Sequence, residues 1–347
     1  VRKVGMDRYT VPFVSLAALI SLTLSALAGC GWHAITANDV ITLDGQQATL
    51  TAYVRRAYGP SLHLDIPGAR VQFRVDGKVV ATAVTDKDGR AVAHAPISPD
   101  SQTVEAYTRL KKDHLRASAP IYRWSLDKTV IAVDLDETIS ATRYSDLFIA
   151  PLDGSPPIQG AREALWALSK DYQILYFSAR PEFLQDKTRQ WLRDNGFPPA
   201  PYLGADRFAA CLDQTGHKRR MLVDMKQRWP NLLIGIGDKR VDDKAYGAAD
   251  MLTFIVNPRP IGSYSQRCVM VKDWPSLQAF FKAHRERLTR PAELAGIIRQ
   301  NGDQLRPFFA AAPTQRAEEL PTTPQPVPMP THTATMVQRT GDSDSQF

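Results

Sequence analysis

The feature that most constrains this sequence is an apolar run that ends in two acidic residues. Residues 129–133 (Thr-Val-Ile-Ala-Val) are mostly β-branched, which predicts a buried β-strand. Asp134 and Asp136 follow at once, and Thr138 comes two residues later. In a parallel α/β sheet, ligands bind beyond the carboxyl ends of the strands. The strand would then bring two carboxylates and a hydroxyl to the edge of the sheet where ligands bind. The alternative is a strand that simply ends in solvent-exposed acidic residues.

The chain beyond this strand alternates between predicted strands and predicted helices. Buried strands are predicted at 173–177, 232–236 and 251–256. Helices are predicted at 160–170, 181–194, 218–229, 242–249, 274–290 and 292–300. This alternation predicts a parallel sheet with helices on both faces. Polar residues again follow two of the strands, with Ser178 after one and Asp238 after another.

Four short motifs in this region resemble those of the haloacid dehalogenase superfamily of phosphotransferases. They are the Asp-x-Asp-x-Thr of residues 134–138, Ser178, Lys218 and the Gly-Asp-x-x-x-Asp of residues 237–242, in that order. The resemblance implies a Rossmann-like parallel sheet of the haloacid dehalogenase type over residues 126–290. Most residues between the motifs belong to predicted strands and helices of the core, so there is room for only a minimal cap domain.

The resemblance implies a role for each motif residue, and the chemistry of phosphoryl transfer fits those roles. Asp134 would attack phosphorus and form an acyl phosphate, and Asp136 would protonate the leaving oxygen and later activate water. Thr138, Ser178 and Lys218 would bind the phosphate. Taken alone, Ser178 would more often cap a helix and Lys218 would more often be a solvated surface charge. The functional interpretation depends on their joint order.

The same resemblance implies a Mg²⁺ site. Mg²⁺ prefers oxygen ligands and neutralises phosphate and carboxylates together. Its ligands would be Asp134, the backbone carbonyl of Asp136, Asp238 and Asp242. Asp243 competes with Asp242 for the last position, and the family pattern favours Asp242.

A finer resemblance is to the lipin-type domain, which dephosphorylates phosphatidate and has relatives in phosphatidylinositol-transfer proteins. Residues 176–180 are similar to its Ser-Ala-Arg motif, and residues 237–246 to its Gly-Asn-Arg-x-Thr-Asp-Val-x-Ala-Tyr. The departures are Glu137 for Gly, Asp238 for Asn and Asp243 for an apolar residue. We therefore expect a phosphatase acting on a lipid phosphate such as phosphatidate. The alternatives are a non-catalytic phospholipid-binding module and a phosphatase of nucleotides or polynucleotides.

The N-terminal residues 1–30 have the pattern of a secretory signal. Basic residues precede an apolar run at 11–28, and the segment ends Leu-Ala-Gly-Cys at Cys30. This ending resembles the lipobox of bacterial lipoproteins, which implies lipidation of Cys30 and export to a membrane surface. Gly31 in place of Asp favours the outer membrane, with the protein facing the periplasm or the cell surface. An ordinary signal peptide and an uncleaved transmembrane anchor are the alternatives.

Residues 31–125 predict a small all-β sandwich domain. Val71, Phe73 and Val75 alternate with polar residues, Asp76-Gly77 is a hairpin signal, and the residues at 79, 81 and 83 resume the alternation on the return strand. The pattern resembles transthyretin-like and carboxypeptidase-regulatory-like modules. We expect a spacer or interaction module. The Asp-x-Asp-Gly loop at 86–89 is read as a plain turn, with a calcium loop as the alternative.

Residues 291–310 predict a C-terminal helix, and the Pro- and Thr-rich residues 311–347 predict a disordered tail or, alternatively, a proline-rich recognition segment. The net charge is +7, but the basic residues are scattered, so no nucleic-acid partner is expected. The three cysteines form no C-x-x-C pair, so a structural zinc site is not indicated. In an exported protein, Cys211 and Cys268 could form a disulfide.

Overall fold

The computed structural model describes residues 31–43, 46–58, 62–142, 155–206, 213–258 and 263–310. The predicted signal segment with Cys30, the predicted tail and Cys211 lie outside these residues. Lipidation, the tail and the disulfide therefore stay predictions. Within the described ranges, no helix is long and apolar enough to cross a membrane.

The first part of the chain is an all-β region. Its strands are β1 (Trp32–Ala37), β2 (Val40–Thr42), β3 (Gln47–Ala57), β4 (His63–Asp65), β5 (Arg70–Val75), β6 (Lys78–Val84), β7 (Arg90–Pro96), β8 (Thr103–Leu110) and β9 (Asp113–Arg123). One sheet is built around β3, which pairs antiparallel with β1, β4 and β7. The other sheet has the order β2-β9-β8-β5-β6. Apolar residues from both sheets form one buried cluster.

The predicted hairpin joins β5 to β6. Asp76 and Gly77 both have positive φ, 50° and 77°, as a tight two-residue hairpin turn of the I′ type requires. Val71, Phe73 and Val75 are buried as expected. The prediction for Val79 is wrong, because a register shift opposite Phe73 breaks the alternation on the edge strand β6 and leaves Val79 51% exposed.

The second part of the chain is an α/β region. Its strands are β10 (Val130–Val133), β11 (Gln173–Pro181), β12 (Tyr202–Ala205), β13 (Leu232–Gly237), β14 (Leu252–Val256) and β15 (Cys268–Val271). Its helices are α1 (Ala161–Leu168), α2 (Gln185–Asp194), α3 (Gln214–Arg228), α4 (Arg240–Ala248), α5 (Trp274–Ala283), α6 (Arg285–Thr289), α7 (Pro291–Asn301) and α8 (Leu305–Ala310). The six strands form one parallel sheet in the order β12-β11-β10-β13-β14-β15.

The structure departs from the predicted elements in several places. Strand β11 continues to Pro181 and so includes Ser178, the predicted helix at 274–290 is divided into α5 and α6, and the predicted C-terminal helix at 291–310 is divided into α7 and α8. The strands β12 and β15 were not predicted, because each is only four residues long and such short runs carry little periodicity. Helix α3 begins four residues before Lys218, since Asp213 caps it by accepting a hydrogen bond from the Gly216 N–H at 2.9 Å. A 3₁₀ turn, Glu182–Leu184, separates β11 from α2.

The sheet is buried on both faces. Ile131 and Val133 of β10 belong to an apolar cluster with α1 and α5 on one face. Val130 and Ala132 belong to a second cluster on the other face, which includes Tyr246 of α4. Burial on both faces explains why the strand reads as a continuous apolar run and not as an alternating one.

Close packing of α4 on the sheet depends on a glycine. A Cβ at Gly235 of β13 would lie 2.2 Å from the Tyr246 ring, which is impossibly close. We expect Gly235→Ala to lower the free energy of unfolding by about 1–3 kcal/mol through overpacking. Denaturant unfolding followed by circular dichroism measures this change.

Gly247 is a matched control, because a Cβ there meets nothing within 4 Å and the residue lies inside α4. Gly247→Ala is expected to leave stability unchanged or raise it by about 0.5–1 kcal/mol, since alanine favours helix. Equal destabilisation by the two substitutions would contradict the packing argument.

Candidate active site

The order of the sheet brings the motif residues together. Strand β10 lies between β11 and β13, so the carboxyl ends of all three are neighbours. Asp134 and Asp136 follow β10, Ser178 lies near the end of β11, and Asp238 follows β13. Asp134, Asp136 and Ser178 line a pocket, whose other lining residues are Ala179, Gln214, Lys218, Lys239, Val241 and Asp242.

Lys218 lies between two buried carboxylates. Its Nζ is 2.7 Å from Asp134 Oδ1 and 2.7 Å from Asp242 Oδ1. Burial acts to lower the pKa of Lys218, but the two carboxylates outweigh it and raise the pKa above its ordinary value. The ammonium therefore stays charged and joins the end of β10 to α4.

Thr138 lies beside the same acids. Its hydroxyl is 3.3 Å from Asp134 Oδ2 and 3.3 Å from Asp238 Oδ1. Its backbone oxygen accepts a hydrogen bond from Trp274 Nε1 at 3.0 Å, which ties the loop after β10 to α5. Thr138 is thus placed where β10 and β13 end.

Asp242 and Asp243 point to different places. Asp242 Oδ2 accepts hydrogen bonds from the backbone N–H groups of Asp238 and Lys239, at 3.3 and 3.1 Å. Gly237 allows this approach, since a Cβ there would lie 2.5 Å from Asp242 Cβ. Asp243 instead accepts from the backbone N–H and the hydroxyl of Ser265, at 2.7 and 2.6 Å. The geometry therefore places Asp242 in the acidic cluster.

Asp136 is held by Arg180, a residue to which sequence reasoning assigned no role. Arg180 Nη2 lies 2.7 Å from Asp136 Oδ1, and its Nε lies 3.1 Å from each carboxylate oxygen. Ser178 donates to Asp136 Oδ2 at 3.3 Å and accepts from the Arg180 N–H at 3.1 Å, so its hydroxyl serves Asp136 and the strand end. Arg180 belongs to the lipin-like Ser-Ala-Arg motif within residues 176–180, and that motif was the available signal in the sequence.

A bulge in β11 makes these contacts possible. Phe177 pairs with Leu203, but the next pair along the strands is Pro181 with Ala205. Two residues of β11 are thus extra, and Ser178 and Arg180 lie within this bulged stretch. Gly204 is required opposite the bulge, because a Cβ there would lie 2.9 Å from the backbone oxygen of Arg180.

A second ion pair that the sequence did not predict involves Lys239, which lines the pocket. Glu137 forms an ion pair with Lys239, and Lys239 Nζ also lies 3.8 Å from Asp238 Oδ2. Glu137 has φ of 63°, a left-handed conformation that costs a non-glycine residue roughly 1–2 kcal/mol. The hydrogen bond from its N–H to Ser140 O, at 2.8 Å, helps to hold it there.

The acidic cluster fits a divalent cation. Asp134, Asp238 and Asp242 each offer an oxygen, and these oxygens lie within 4.8 Å of one another. Burial, opposed by Lys218 and reinforced by Asp242, raises the pKa of Asp134 to about 7. Burial and the nearby Asp242 raise the pKa of Asp238 to about 8. Both shifts express the cost of burying like charges together, and a cation bound here would relieve that cost.

The charge balance leads to the same conclusion. The ion pairs and the acidic cluster comprise the carboxylates Asp134, Asp136, Glu137, Asp238 and Asp242 and the cations Arg180, Lys218 and Lys239. When all five carboxylates are ionised, they exceed the three cations by two negative charges, which is the charge that one divalent cation neutralises.

Part of the α/β region matches the model of a known protein family. Residues 135–255 match the family model for the LNS2 domain of PITM 1-3, a match that begins directly after Asp134. The matched segment carries the other motif residues, from Asp136 to Asp242. No curated protein sequence matches the chain.

Several solved structures resemble parts of the chain. D,D-heptose 1,7-bisphosphate phosphatase from B. bronchiseptica, complexed with magnesium and phosphate, is 16% identical, with 43% of this chain and 96% of that one covered and a TM-score of 0.36. The cobalt-bound deoxy-D-mannose-octulosonate 8-phosphate phosphatase from Haemophilus influenzae is 13% identical, with 47% and 92% covered and a TM-score of 0.33. The M1 domain from titin is 10% identical, with 27% and 95% covered and a TM-score of 0.21.

Cation binding to the acidic cluster can be measured without any activity. A ligand that binds only the folded state raises the melting temperature. We expect Mg²⁺ to raise the melting temperature of the wild-type protein relative to EDTA, and Asp242→Asn to lose most of that increase. Differential scanning fluorimetry over a series of Mg²⁺ concentrations measures it.

Asp243→Asn is the matched control, since it removes the same charge from the neighbouring residue, which bonds to Ser265. It is expected to keep the wild-type response to Mg²⁺. The cluster would not be the cation site if the Asp242 variant kept the response, or if Asp243→Asn lost it equally.

Proposed function

We propose that this protein is a Mg²⁺-dependent phosphomonoester hydrolase that works through an aspartyl-phosphate at Asp134. The observation that carries the proposal is the position of Lys218 Nζ, 2.7 Å from both Asp134 and Asp242 in a buried acidic cluster at the carboxyl edge of a parallel sheet. A nucleophilic carboxylate, a fixed ammonium and an acidic cation site are the parts that phosphoryl transfer needs.

The proposed reaction has two steps. First, an oxygen of Asp134 attacks phosphorus, the bond from phosphorus to the leaving oxygen breaks, and Asp136 gives that oxygen a proton. Then water attacks phosphorus, Asp136 takes its proton, and the bond to Asp134 breaks to release inorganic phosphate. Lys218, with the hydroxyls of Thr138 and Ser178, would hold the phosphate oxygens. Mg²⁺ bound by Asp134, Asp238, Asp242 and the Asp136 carbonyl would neutralise the charge of phosphate and carboxylates.

The proposed substrate is a lipid phosphate such as phosphatidate. The match of residues 135–255 to an LNS2 domain and the lipin-like motifs support this choice. The pocket is lined mostly by polar residues of the strand ends and of two helices, and the described residues between β10 and β11 contain a single helix, α1. A large substrate at a surface fits such a site, and the predicted lipid anchor at Cys30 would keep the enzyme at a membrane.

A phospholipid-binding module without activity is the second candidate. The matched LNS2 domain belongs to PITM 1-3, and related domains of phosphatidylinositol-transfer proteins motivate this alternative. Retention of both Asp134 and Asp136 argues for catalysis, because binding alone does not need a nucleophile and an acid.

Replacement of the nucleophile tests the proposal. With Mg²⁺ present, wild-type protein is expected to release phosphate from p-nitrophenyl phosphate and, in detergent micelles, from phosphatidate. Asp134→Asn should lower kcat by roughly a thousandfold or more, as loss of a covalent nucleophile does. Asp243→Asn is the control for loss of a nearby charge and should stay close to wild type.

The substrate panel separates the candidates. Nucleotides and 5′-phosphorylated oligonucleotides are assayed beside phosphatidate, and preference for either would replace the lipid proposal with the nucleotide alternative. No phosphate release from any of these substrates, with liposome binding that Asp134→Asn leaves unchanged, would establish the binding module instead.

The proposed membrane anchor has its own test. When the full chain is expressed in a bacterium, wild-type protein is expected in the membrane fraction and Cys30→Ala in the soluble fraction or uncleaved. Incorporation of a labelled fatty acid into wild type but not into the variant measures lipidation directly. A Cys30→Ala variant that is still labelled and processed would contradict the lipobox prediction.

A further inference from the structure

A buried aspartate of the all-β region contacts both elements that follow β11. Asp39 lies between β1 and β2, and its side chain is 2% exposed. Its Oδ1 is 2.7 Å from Nη2 of Arg189, which lies on α2. Its Oδ2 accepts a hydrogen bond from the backbone N–H of Tyr202, the first residue of β12, at 2.7 Å. Asp39 therefore joins the all-β region to α2 and to the edge strand of the parallel sheet.

Arg189 is held by more than this one aspartate. Its guanidinium also donates to the backbone oxygen of Ala37 at 2.8 Å and pairs with Asp186 at 2.7 Å. Burial acts to lower the pKa of Arg189, but Asp39 and Asp186 outweigh it and raise the pKa above its ordinary value. Because a buried charge is costly without a partner, Asp39 and Arg189 fix each other's positions.

The 3₁₀ turn between Arg180 and α2 is also held by the all-β region. Glu182 forms a buried ion pair with Arg55 of β3 and lies 3.3 Å from the hydroxyl of Thr36. Phe183 stacks on His63 of β4, with ring centroids 4.0 Å apart and ring planes 7° apart. The segment directly after Arg180 is thus fixed from outside the α/β region.

Helix α2 connects these contacts with the all-β region to the active site. Thr188, the residue before Arg189, accepts a hydrogen bond from Arg180 Nη1 at 3.1 Å. The other guanidinium nitrogens of Arg180 hold both oxygens of Asp136. Arg180 and Thr188 are both fully buried. A continuous series of contacts therefore runs from Asp39 through Arg189, Thr188 and Arg180 to Asp136.

We propose that the all-β region positions the acid/base carboxylate of Asp136 through this series. The proposal rests on the proposed function and adds a task for a region that the sequence presents as a spacer. Asp39, Arg189, Thr188 and Arg180 are positioning residues, and Asp136 is the residue that transfers protons. The planar fork of Arg180 fixes the plane of the Asp136 carboxylate, and a rotation of that plane moves the proton away from the leaving oxygen.

Leaving-group dependence separates positioning from stability. The nitrophenolate of p-nitrophenyl phosphate departs without a proton, whereas the alkoxide of glycerol 2-phosphate needs one from Asp136. The ratio of kcat/KM for the two substrates therefore reports proton transfer in the first step. Loss of folded protein lowers both values by the same factor and leaves the ratio unchanged.

Five variants of the full chain, one of them a control, are compared with wild type. Asp39→Asn keeps an oxygen for the Tyr202 N–H but removes the charge facing Arg189, and Arg189→Lys keeps the charge but loses the fork. Thr188→Val removes the acceptor for Arg180 at nearly constant volume, and Thr188→Ser restores it. Asp171→Asn is the control, since Asp171 pairs with Arg285 at the surface, 2.8 Å away and outside the series.

We expect Asp39→Asn, Arg189→Lys and Thr188→Val to lower kcat/KM for glycerol 2-phosphate roughly tenfold more than for p-nitrophenyl phosphate, part of the 10²–10⁴ that general acid catalysis contributes. Thr188→Ser and Asp171→Asn should keep the wild-type ratio. Thermal melting shows which variants fold. The inference is overturned if Asp39→Asn and Arg189→Lys, or the one of them that folds, keep the wild-type ratio. The inference is also overturned if neither Asp39→Asn nor Arg189→Lys folds and Thr188→Val leaves the ratio unchanged. Wild-type protein inactive on both substrates would instead overturn the proposed function itself, and this inference with it.

Discussion

The ammonium of Lys218 is the interaction on which the site depends. Three carboxylates from β10, β13 and α4 meet in a buried place, and like charges so close together oppose folding. Lys218 Nζ touches two of them at 2.7 Å, which offsets part of that repulsion and fixes α3 against the sheet. Removing one member of a buried ion pair typically costs about 3–5 kcal/mol, so the strand ends, the two helices and the ammonium are stabilised as one unit.

The centre of this unit could be predicted from sequence because its signals are local. The acids that follow β10 and Ser178 near the end of β11 lie within a few residues of an apolar run, and a parallel sheet brings such strand ends together. The family pattern also predicted that Asp242, and not Asp243, lies in the acidic cluster, but it did not give the physical cause. The cause is Gly237, which gives Asp242 room, and Ser265, which holds Asp243 elsewhere.

The remaining features depend on contacts between distant parts of the chain. The bulge in β11 needs Gly204 on the neighbouring strand, and without the bulge the partner of Arg180 cannot be inferred. The sequence does not distinguish Asp39 from other acidic residues, because its neighbours Arg189 and Tyr202 are distant along the chain. The all-β region therefore looks like a separate spacer in the sequence, whereas the structure shows it held to the active-site side of the α/β region by buried ion pairs.

The central claim is that Asp134 becomes phosphorylated during turnover, and chemical trapping tests it most directly. Wild-type protein is mixed briefly with p-nitrophenyl phosphate and Mg²⁺, then reduced with borohydride, which converts an aspartyl phosphate to homoserine. Peptide mass spectrometry then reads residue 134. The account predicts homoserine at position 134, dependent on substrate. Steady phosphate release with Asp134 unmodified, or with the modification at Asp136, would contradict it.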